Sequence, residues 1–452
     1  MCGIFAITSN TKSAQLAHLG LFSLQHRGQE SAGIAVDNCG LLSAHVGMGL
    51  VSQVFTDRNL SQLPGANAVG HVRYSTAGGS AAKNAQPLLC SHVHGQIAVA
   101  HNGNITNADV LRRELEKKGA IFQSSADSEI IIHLMAREKG PVENAIIKSL
   151  PKLCGAYSFI FLTPGKVIGA RDPLGFRPLI LGKLGKSYIL TSETPALETI
   201  GGKAVREIEP GEVVIIDKNG VKSLHPFKKT GKTAACIFER IYFARPDSIV
   251  GGKSIQSYRY DMGRCLAREM KGIKADMVVP VPDSGNHAAF GFAKESGIPL
   301  KMALMRNHYM GRSFINFTQS IRELTVRLKL LPIKDLVKGK TMVLVDDSLV
   351  RGTTSRKITQ SLRRAGAKKI YLALCSPAIV SPCYYGIDTP TKKELIANRM
   401  TPEEIRRYLG VDGLHYLSLD SLLQTSCGGR RDVFCTACFT GKYPARNPDV
   451  EK

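Results

Sequence analysis

The sequence predicts a two-domain protein of the α/β and α+β classes. Its 452 residues are about three times the length that typically forms one domain. The first half holds short alternating strands such as "KVIGARD" and "SYILTS", separated by loops such as "DPLGFRP". In the second half, "TMVLVDDSLVRGTTSRKITQSLRRAGAKKIYLALCSPAIV" reads as a strand, a loop, a helix and a second strand. We therefore predict one domain over residues 2–230 and another over residues 231–452.

The composition indicates a globular protein that does not enter a membrane. Hydrophobic residues make up 43% and charged residues 21% of the chain, and no apolar run approaches the roughly 18 residues of a membrane span. The start lacks the basic and apolar regions of a secretory signal, so we expect a cytoplasmic location. Eleven cysteines in such a chain indicate buried, catalytic or metal-binding thiols rather than disulfides.

The positive charge is concentrated in the second half. Residues 1–230 carry 24 basic and 17 acidic residues, a balance of +7, and residues 231–452 carry 36 and 20, a balance of +16. Such a field attracts an anionic partner, either a phosphorylated small molecule or a nucleic acid. Charge alone does not distinguish the two partners.

The opening stretch "MCGIFAITSN" places a cysteine at position 2. Removal of Met1 would make Cys2 the N-terminus, where the free α-amine can act as the base that activates the thiol. The alternative interpretation is a small residue near the start with no chemical role.

Four further stretches of the first half, "LQHRGQESAG", "GHVRYSTAG", "AHNGNITN" and "SADSEI", supply groups that could serve such a thiol. The Asn102 amide and the Gly103 N–H are donors for a developing oxyanion. Arg73 can bind the α-carboxylate of an amino acid and Asp127 its α-ammonium group. The alternatives are an Asn-Gly hairpin turn, a surface charge at Arg73 and a helix-capping role for Asp127.

Taken together, these residues resemble the glutamine amidotransferases with an N-terminal nucleophile. The resemblance implies that Cys2, after removal of Met1 alone, attacks the side-chain amide of glutamine and releases ammonia. It also implies a four-layer α/β/β/α sandwich.

The second half contains a candidate phosphate-binding loop. Met342 to Val345 form a continuous apolar run, as in a buried parallel strand, and Ile358 and Leu362 lie on one face of the following helix. The loop "SLVRGTTS" between them can hold phosphate at the helix N-terminus. The carboxylates of Asp346 and Asp347, which precede the loop, suit ribose hydroxyls or hydrated magnesium. The alternative is an acidic strand end followed by an ordinary turn.

The stretch "VLVDDSLVRGTTS" resembles the phosphoribosyl pyrophosphate signature of type I phosphoribosyltransferases, which implies an open parallel α/β domain. By this resemblance the substrate contacts are Asp346, Asp347, Ser348, Arg351, Gly352, Thr353 and Thr354. In the upstream loop "VVPVPDSGNHAAFGFAKESG", Asp283, Ser284 and Gly285 would contact pyrophosphate or its magnesium. The implied Mg²⁺ contacts are Ser284, Asp346 and Asp347. Between the loops, "RNHYMGRSFINFTQSIRELTVRLKL" resembles the family's lid, which becomes ordered when the substrate binds. It departs from the family pattern at His308, where arginine is usual, and at Phe317, where proline is common.

Cysteines of the second half form a candidate metal site. Cys435 and Cys438 form a C-x-x-C, a spacing that presents two thiolates to one site. With Cys236 and Cys383 they resemble the ligands of a cluster-bearing branch of glutaminase–phosphoribosyltransferase fusions, which implies a 4Fe-4S cluster. Buried thiols or a zinc site are the alternatives, and Cys427 is a rival ligand. We expect Cys39, Cys90, Cys154, Cys265 and Cys375 to be core thiols.

The two resemblances together imply one enzyme with two sites. Ammonia released from glutamine would displace pyrophosphate from phosphoribosyl pyrophosphate, giving 5-phosphoribosylamine and glutamate, the first committed step of purine synthesis. Purine nucleotides as feedback inhibitors and a homotetramer follow from the resemblance, whereas a nucleic acid partner is not expected. The alternatives are a metabolite-sensing regulator that binds DNA and an enzyme that aminates a sugar phosphate.

Overall fold

The computed structural model describes residues 1–74, 79–227, 231–307, 330–389, 391–430 and 432–447. The predicted lid, including His308 and Phe317, lies outside the described residues apart from its two ends. Among the described residues, no helix is long and apolar enough to cross a lipid bilayer.

Two antiparallel sheets form the first half. In chain order the strands are β1 (Gly3–Ile7), β2 (Ser31–Asn38), β3 (Leu41–Met48), β4 (Asn67–Arg73), β5 (Leu88–His92), β6 (Gly95–Ile105), β7 (Gly155–Thr163), β8 (Lys166–Arg171), β9 (Ile180–Leu184), β10 (Ser187–Thr191), β11 (Lys203–Glu207), β12 (Val213–Asp217) and β13 (Gly220–Leu224). The first sheet has the order β11-β9-β10-β1-β4-β2-β3 and the second the order β13-β12-β8-β7-β6-β5. The strands predicted at "KVIGARD" and "SYILTS" are therefore confirmed.

Helices cover the outer faces of both sheets. They are α1 (Ser13–Ser23), α2 (Val51–Val54), α3 (Asp57–Ser61), α4 (Ala108–Lys117), α5 (Glu129–Met135), α6 (Val142–Ser149) and α7 (Pro195–Glu198), with 3-10 turns at Gln25–Arg27, Ala82–Asn84 and Leu150–Lys152.

Apolar layers separate these four layers of structure. Residues such as Ile4 and Val69 of the first sheet pack against Ala100 and Ile160 of the second. Leu21 of α1 packs on the outer face of the first sheet, and α5 and α6 pack on the outer face of the second. The predicted α/β/β/α sandwich is confirmed.

A parallel sheet forms the centre of the second half. The strands are β14 (Ala235–Cys236), β15 (Ile249–Val250), β16 (Lys253–Ser254), β17 (Met277–Pro280), β18 (Leu304–Arg306), β19 (Leu330–Pro332), β20 (Thr341–Asp346), β21 (Lys369–Leu374), β22 (Gly413–Tyr416) and β23 (Phe434–Cys435). Four of these strands form the parallel sheet, in the order β17-β20-β21-β22. The others form two-stranded pairs, β14 with β23, β15 with β16 and β18 with β19. This arrangement confirms the predicted open parallel α/β fold.

The helices of the second half pack on both faces of this sheet. They are α8 (Ile255–Glu269), α9 (Asn286–Ser296), α10 (Lys334–Val337), α11 (Thr353–Arg364), α12 (Ile396–Arg399), α13 (Pro402–Leu409), α14 (Leu419–Cys427) and α15 (Ala437–Thr440), with a π-helical turn at Glu239–Phe243 and a 3-10 turn at Lys392–Glu394. Val343 and Val345 of β20 face the α8–α9 side. Met342 and Leu344 face the side that α11 and α13 cover, because side chains alternate along a strand.

The C-terminal segment joins the two halves. Strand β23 pairs in parallel with β14, with Cys435 opposite Cys236. The Asn104 side chain donates to the Tyr384 carbonyl at 2.9 Å, and the Thr106 hydroxyl to the Arg446 carbonyl at 2.7 Å. These two bonds hold the chain after β21 and the chain after β23 against the end of β6.

Gly386 approaches the backbone of Gly103 more closely than a larger residue allows. A Cβ at Gly386 would lie 2.9 Å from the Gly103 carbonyl carbon, and its φ of +103° disfavours other residues. We expect Gly386→Ala to lower the free energy of unfolding by about 1–3 kcal/mol more than Gly220→Ala. Gly220 is the matched control because its φ is +109° and its Cβ would meet nothing within 4 Å. Denaturant unfolding measures the difference, and equal effects would show that the close contact costs nothing.

Candidate active site

Cys2 immediately precedes β1 and is buried. Its backbone nitrogen donates to the Asn102 side-chain carbonyl at 3.2 Å, and its Sγ lies 3.7 Å from the Tyr74 carbonyl oxygen. Met1 is buried as well, and burial lowers the pKa of its α-ammonium group to about 6. The N-terminus is therefore buried in the core rather than exposed at the surface.

Asn102 and Gly103 lie inside strand β6, opposite Ser158 and Tyr157 of β7. The hairpin-turn alternative is therefore wrong. The Asn102 Nδ2 is buried and has no hydrogen-bond partner among the described residues, which leaves a donor for an oxyanion beside Cys2. A Cβ at Gly103 would lie 2.0 Å from the Ala156 carbonyl oxygen, so the strand pairing itself requires glycine there.

Arg73 is buried at the end of β4, so it is not a surface charge. Its Nη1 donates to Glu30 Oε1 at 2.6 Å and to the Gly79 carbonyl at 3.0 Å. The carboxylate of Glu30 thus holds the guanidinium group in one orientation. An amino-acid carboxylate that binds Arg73 would join an ion pair that already exists.

Asp127 is also buried, just before α5. It accepts hydrogen bonds from the backbone N–H groups of Ile105 at 2.8 Å and Ser128 at 2.9 Å, and its Oδ1 lies 3.7 Å from His101 Nδ1. Burial raises its pKa, but His101 and the two N–H donors outweigh burial and lower the pKa below the ordinary value. The carboxylate is therefore ionised and suited to an ammonium group.

A buried ion-pair network contacts the backbone at the N-terminus. Arg27 Nε donates to the Cys2 carbonyl at 2.9 Å, its Nη2 to Glu239 Oε1 at 2.8 Å, and its Nη1 to Glu193. Glu193 also contacts His26 at 2.8 Å, and Glu239 contacts Arg177 at 3.4 Å. Because Glu239 belongs to the second half, the network ties Cys2 to both halves.

This network was not predicted from the sequence. Arg27 falls within "LQHRGQESAG", but its partners Glu193 and Glu239 are distant in the chain, and no local pattern marks them. A close pair of buried carboxylates around one arginine becomes visible only in the folded chain.

The second candidate site lies at the carboxyl end of β20. Asp346 ends the strand and Asp347 follows it, and both carboxylates are buried. Burial and mutual repulsion raise the pKa of Asp346 well above its ordinary value, and burial also raises the pKa of Asp347. A divalent cation would relieve this repulsion, so the pair fits the predicted magnesium contacts.

The structure brings the upstream loop to the same place. The Ser284 hydroxyl lies near Asp347 and partly offsets the rise that burial causes in the pKa of that carboxyl. Gly285 lies so close to β20 that a Cβ there would be 2.3 Å from the Val345 carbonyl oxygen. Asp283 forms an ion pair with Arg306 and is exposed. Neighbouring parallel strands thus carry both predicted loops to one edge of the sheet.

The predicted phosphate loop leads directly into α11. Gly352 precedes the helix with a φ of +77°, and the exposed Thr353 and Thr354 open it. The Ser348 hydroxyl donates to Asp347. Arg351 is exposed and lies 3.2 Å from Glu394. The backbone N–H groups of the first helical turn and the two threonine hydroxyls are the donors that a phosphate could meet.

Cys236, Cys383, Cys435 and Cys438 line one cavity, which Tyr385 and Tyr443 also line. Burial raises the pKa of Cys236 to about 11 and also raises the pKa values of Cys435 and Cys438. Within the described ranges, no three His, Cys, Asp or Glu side chains converge as ligands of one metal ion.

Cys427 does not line the cavity formed by the four cysteines. Its thiol donates instead to the carbonyls of Leu423 at 3.3 Å and Arg430 at 2.9 Å. Among the other cysteines, Cys375 is buried as predicted. Cys39 is exposed in the turn between β2 and β3, so the core-thiol prediction was wrong there. Cys90, Cys154 and Cys265 are half-buried.

Comparison with known proteins gives concordant matches over the whole chain. A family model described as a glutamine amidotransferase domain matches residues 71–199. The chain is 47% identical over 459 residues to the amidophosphoribosyltransferase of Archaeoglobus fulgidus, which covers 100% of this chain and 99% of that protein.

Two solved structures are similar as well. One is described as the allosteric regulatory enzyme of purine biosynthesis, with a TM-score of 0.93 and 45% identity, covering 98% of this chain and 96% of that one. The other is the glutamine phosphoribosylpyrophosphate amidotransferase of Bacillus subtilis in complex with ADP and GMP. It has a TM-score of 0.93 and 44% identity, covering 99% of this chain and 98% of that one.

The Glu193 ion pairs make an acid-sensitive contribution to stability. Burial opposes ionisation, but His26 and Arg27 hold the pKa of Glu193 well below its ordinary value of 4.5. We expect Glu193→Gln to lower the free energy of unfolding by about 3 kcal/mol at pH 7, because it leaves Arg27 partly unpaired in the core. This difference should shrink as the pH falls below about 4.5, since protonation of the unfolded-state carboxyl removes the contribution of the ionised form.

Thermal and denaturant unfolding at a series of pH values measure this difference. The exposed Glu403→Gln, which removes a surface partner of Arg406, is the control and should cause no measurable change. A Glu193→Gln effect that stays constant down to pH 3 would contradict the assignment.

Proposed function

Because this chain belongs to the amidophosphoribosyltransferase family, we propose that its two sites divide the family's reaction between residues 2–230 and residues 231–452. The enzyme uses glutamine as the nitrogen donor and phosphoribosyl pyrophosphate as the acceptor, giving 5-phosphoribosylamine, pyrophosphate and glutamate. This is the first committed step of purine synthesis. The positions of the two candidate sites support this division. The buried Cys2 lies beside the unpartnered Asn102 amide in the first half, and the Asp346–Asp347 loop lies in the second half.

Cys2 is the proposed glutaminase nucleophile after removal of Met1. The Cys2 nitrogen then becomes a free amine, and its contact with the Asn102 carbonyl oxygen holds it beside the thiol. The neutral amine accepts the thiol proton while sulfur attacks the glutamine amide, and the same proton passes to the departing ammonia. Asn102 Nδ2 and the Gly103 N–H stabilise the oxyanion. Water then hydrolyses the thioester to glutamate.

Arg73 and Asp127 are proposed to hold the substrate glutamine. The buried, ionised Asp127 would pair with the α-ammonium group, and Arg73, fixed by Glu30, would bind the α-carboxylate. Both contacts lie away from the reacting amide. They would therefore distinguish a free amino acid from a glutamine side chain within a protein.

Phosphoribosyl pyrophosphate is proposed to bind at the carboxyl edge of the parallel sheet. The proposed contacts are Asp283, Ser284, Gly285, Asp346, Asp347, Ser348, Arg351, Gly352, Thr353 and Thr354. Mg²⁺ would neutralise charge on the pyrophosphate leaving group. Magnesium commonly binds through one or two carboxylates together with substrate phosphates, so a site completed by the substrate accords with the raised pKa values of Asp346 and Asp347.

Cys236, Cys383, Cys435 and Cys438 are the proposed ligands of a 4Fe-4S cluster. The four cysteines line one cavity and would supply the four thiolates that such a cluster takes. Burial raises the pKa of Cys236, and the positive charge of Arg177 offsets part of this rise. The cluster would cross-link the C-terminal segment to the start of the second half.

Further partners are proposed from the relatives. The Bacillus subtilis structure holds ADP and GMP, and we extend purine nucleotide binding to this chain as feedback inhibition. A homotetramer and a cytoplasmic location stay predictions. The DNA-binding regulator and the sugar phosphate amination gain no support from the matches.

Replacement of the nucleophile tests the division of labour. We expect Cys2→Ala to reduce glutamine-dependent pyrophosphate release at least about 1,000-fold, because no other thiol replaces it. Release driven by added ammonia should stay within about twofold of the unaltered enzyme. Anaerobic assays of pyrophosphate and glutamate, with magnesium, measure both reactions, and Cys39→Ala is the control at an exposed cysteine. Loss of the ammonia-driven reaction in Cys2→Ala would show that the two sites are not separate.

Metal analysis tests the proposed cluster. Anaerobically purified protein should contain about four iron atoms and about four sulfide ions per chain, with the broad visible absorption of a 4Fe-4S centre. Cys435→Ser should lower the iron content, whereas Cys427→Ser should leave it unchanged because Cys427 lies outside the cavity of the four cysteines. One zinc ion per chain without sulfide would contradict the proposal.

A further inference from the structure

A second cavity lies between the two halves of the chain, separate from both substrate sites. Its volume is about 390 Å³, within the range of roughly 300–1,000 Å³ typical of small-molecule pockets. Much of its lining is apolar and includes Phe176, Ile180, Val250 and Val433. Neither Cys2 and Asn102 nor the residues of the phosphate loop line it.

Arg240 contributes an unusual positive charge to this cavity. It lies on the π-helical turn and is only 8% exposed. Its guanidinium carbon lies 4.2 Å from the ring centre of Tyr258 and 4.4 Å from that of Phe434, so aromatic rings cover it closely. Its Nη1 donates to the Ser426 carbonyl. In the part of the chain that the structure describes, no carboxylate forms an ion pair with Arg240.

The carboxylates near the cavity are engaged elsewhere. Glu193 and Glu239 pair with Arg27 in the network beneath Cys2. Glu207 lies 3.8 Å from Arg171 and accepts a hydrogen bond from the Gly251 N–H at 3.2 Å.

Arg171 already uses its donors within the fold, because its guanidinium group donates to the carbonyls of Arg177, Ile208 and Gly175. The remaining cation of the lining, Arg430, is exposed. Arg240 is therefore the buried cation of the lining that no described carboxylate contacts within ion-pair distance, and the charge of Glu207 reaches it only from farther away.

A buried charge without a counterion is unfavourable. Removal of a cation from water is costly, and contact with aromatic rings offsets only part of that cost. An anion in the cavity would supply the missing compensation. A single negative charge is the best match, because Glu193, Glu207 and Glu239 also line the cavity and would repel a dianion.

We propose that this cavity binds a small monocarboxylate with an apolar body. The carboxylate would meet the guanidinium edge of Arg240, and the body would lie against Phe176, Ile180, Val250 and Val433. A phosphate group carries about 1.5 to 2 negative charges at pH 7 and fits less well. This assignment depends on the cavity and not on the proposed glutaminase or phosphoribosyl chemistry.

Calorimetric titration of the intact, anaerobically purified enzyme tests the proposal. Saturating glutamate and magnesium pyrophosphate fill the two substrate sites, and phenylacetate is then titrated against the neutral phenylacetamide, which has the same apolar body. We expect saturable binding of one phenylacetate per chain, at least about tenfold tighter than phenylacetamide, and about tenfold weaker binding to Arg240→Met. Arg268→Met, at an exposed arginine paired with Glu295, is the control and should bind like the unaltered enzyme.

Four results would overturn the proposal. They are absence of saturable phenylacetate binding, equal binding of phenylacetamide, unchanged binding in Arg240→Met, and displacement of phenylacetate by inorganic phosphate at similar concentrations. The comparison of the acid with the amide uses the unaltered enzyme alone. It therefore decides the question even if Arg240→Met does not fold.

Discussion

The arrangement of this enzyme depends on the buried ion pairs of Arg27 with Glu193 and Glu239. A guanidinium group deep in a protein is costly unless carboxylates surround it. Glu239 of the second half supplies one of these carboxylates, so a buried ion pair links the two halves. Because Arg27 also binds the Cys2 carbonyl, the same interaction fixes the position of the N-terminus.

Two of the residues beside Cys2, Asn102 and Gly103, belong to a strand rather than to a loop. Asn102 and Gly103 lie within the sheet that β6 and β7 form, where backbone pairing fixes their positions. The unpartnered Asn102 amide is a polar group that the fold does not satisfy by itself. Such a group is costly in an ordinary core, and beside a thiol it leaves a hydrogen-bond donor free for the oxyanion role proposed above.

Local sequence patterns were sufficient to predict single strands and the strand, loop and helix that begin at Met342, whereas the two-sheet sandwich was implied by the family resemblance. The apolar run at Met342 to Val345 and the glycine-containing loop after it depend on neighbours in the chain, and the structure has them as predicted. Arg27 and Glu239 could not be paired from the sequence because their contact depends on how the halves meet. The burial of Arg240 between Tyr258 and Phe434 could not be predicted for the same reason, because Phe434 is distant from Arg240 in the chain. Cys39 looked like a core thiol and is a turn residue, because composition does not indicate which end of a strand a residue occupies.

The short pairing of β14 with β23 has a consequence for synthesis of the chain. Cys236 leaves the ribosome long before Cys435, its partner across the two strands. At about 5–20 residues per second, roughly 10 to 40 s separate them. During that interval the first half can fold while the partner of β14 does not yet exist, so the new chain exposes a strand edge and a cysteine. Assembly of the region around the four cysteines is therefore among the last events of biogenesis, and aggregation or oxidation in that interval competes with it.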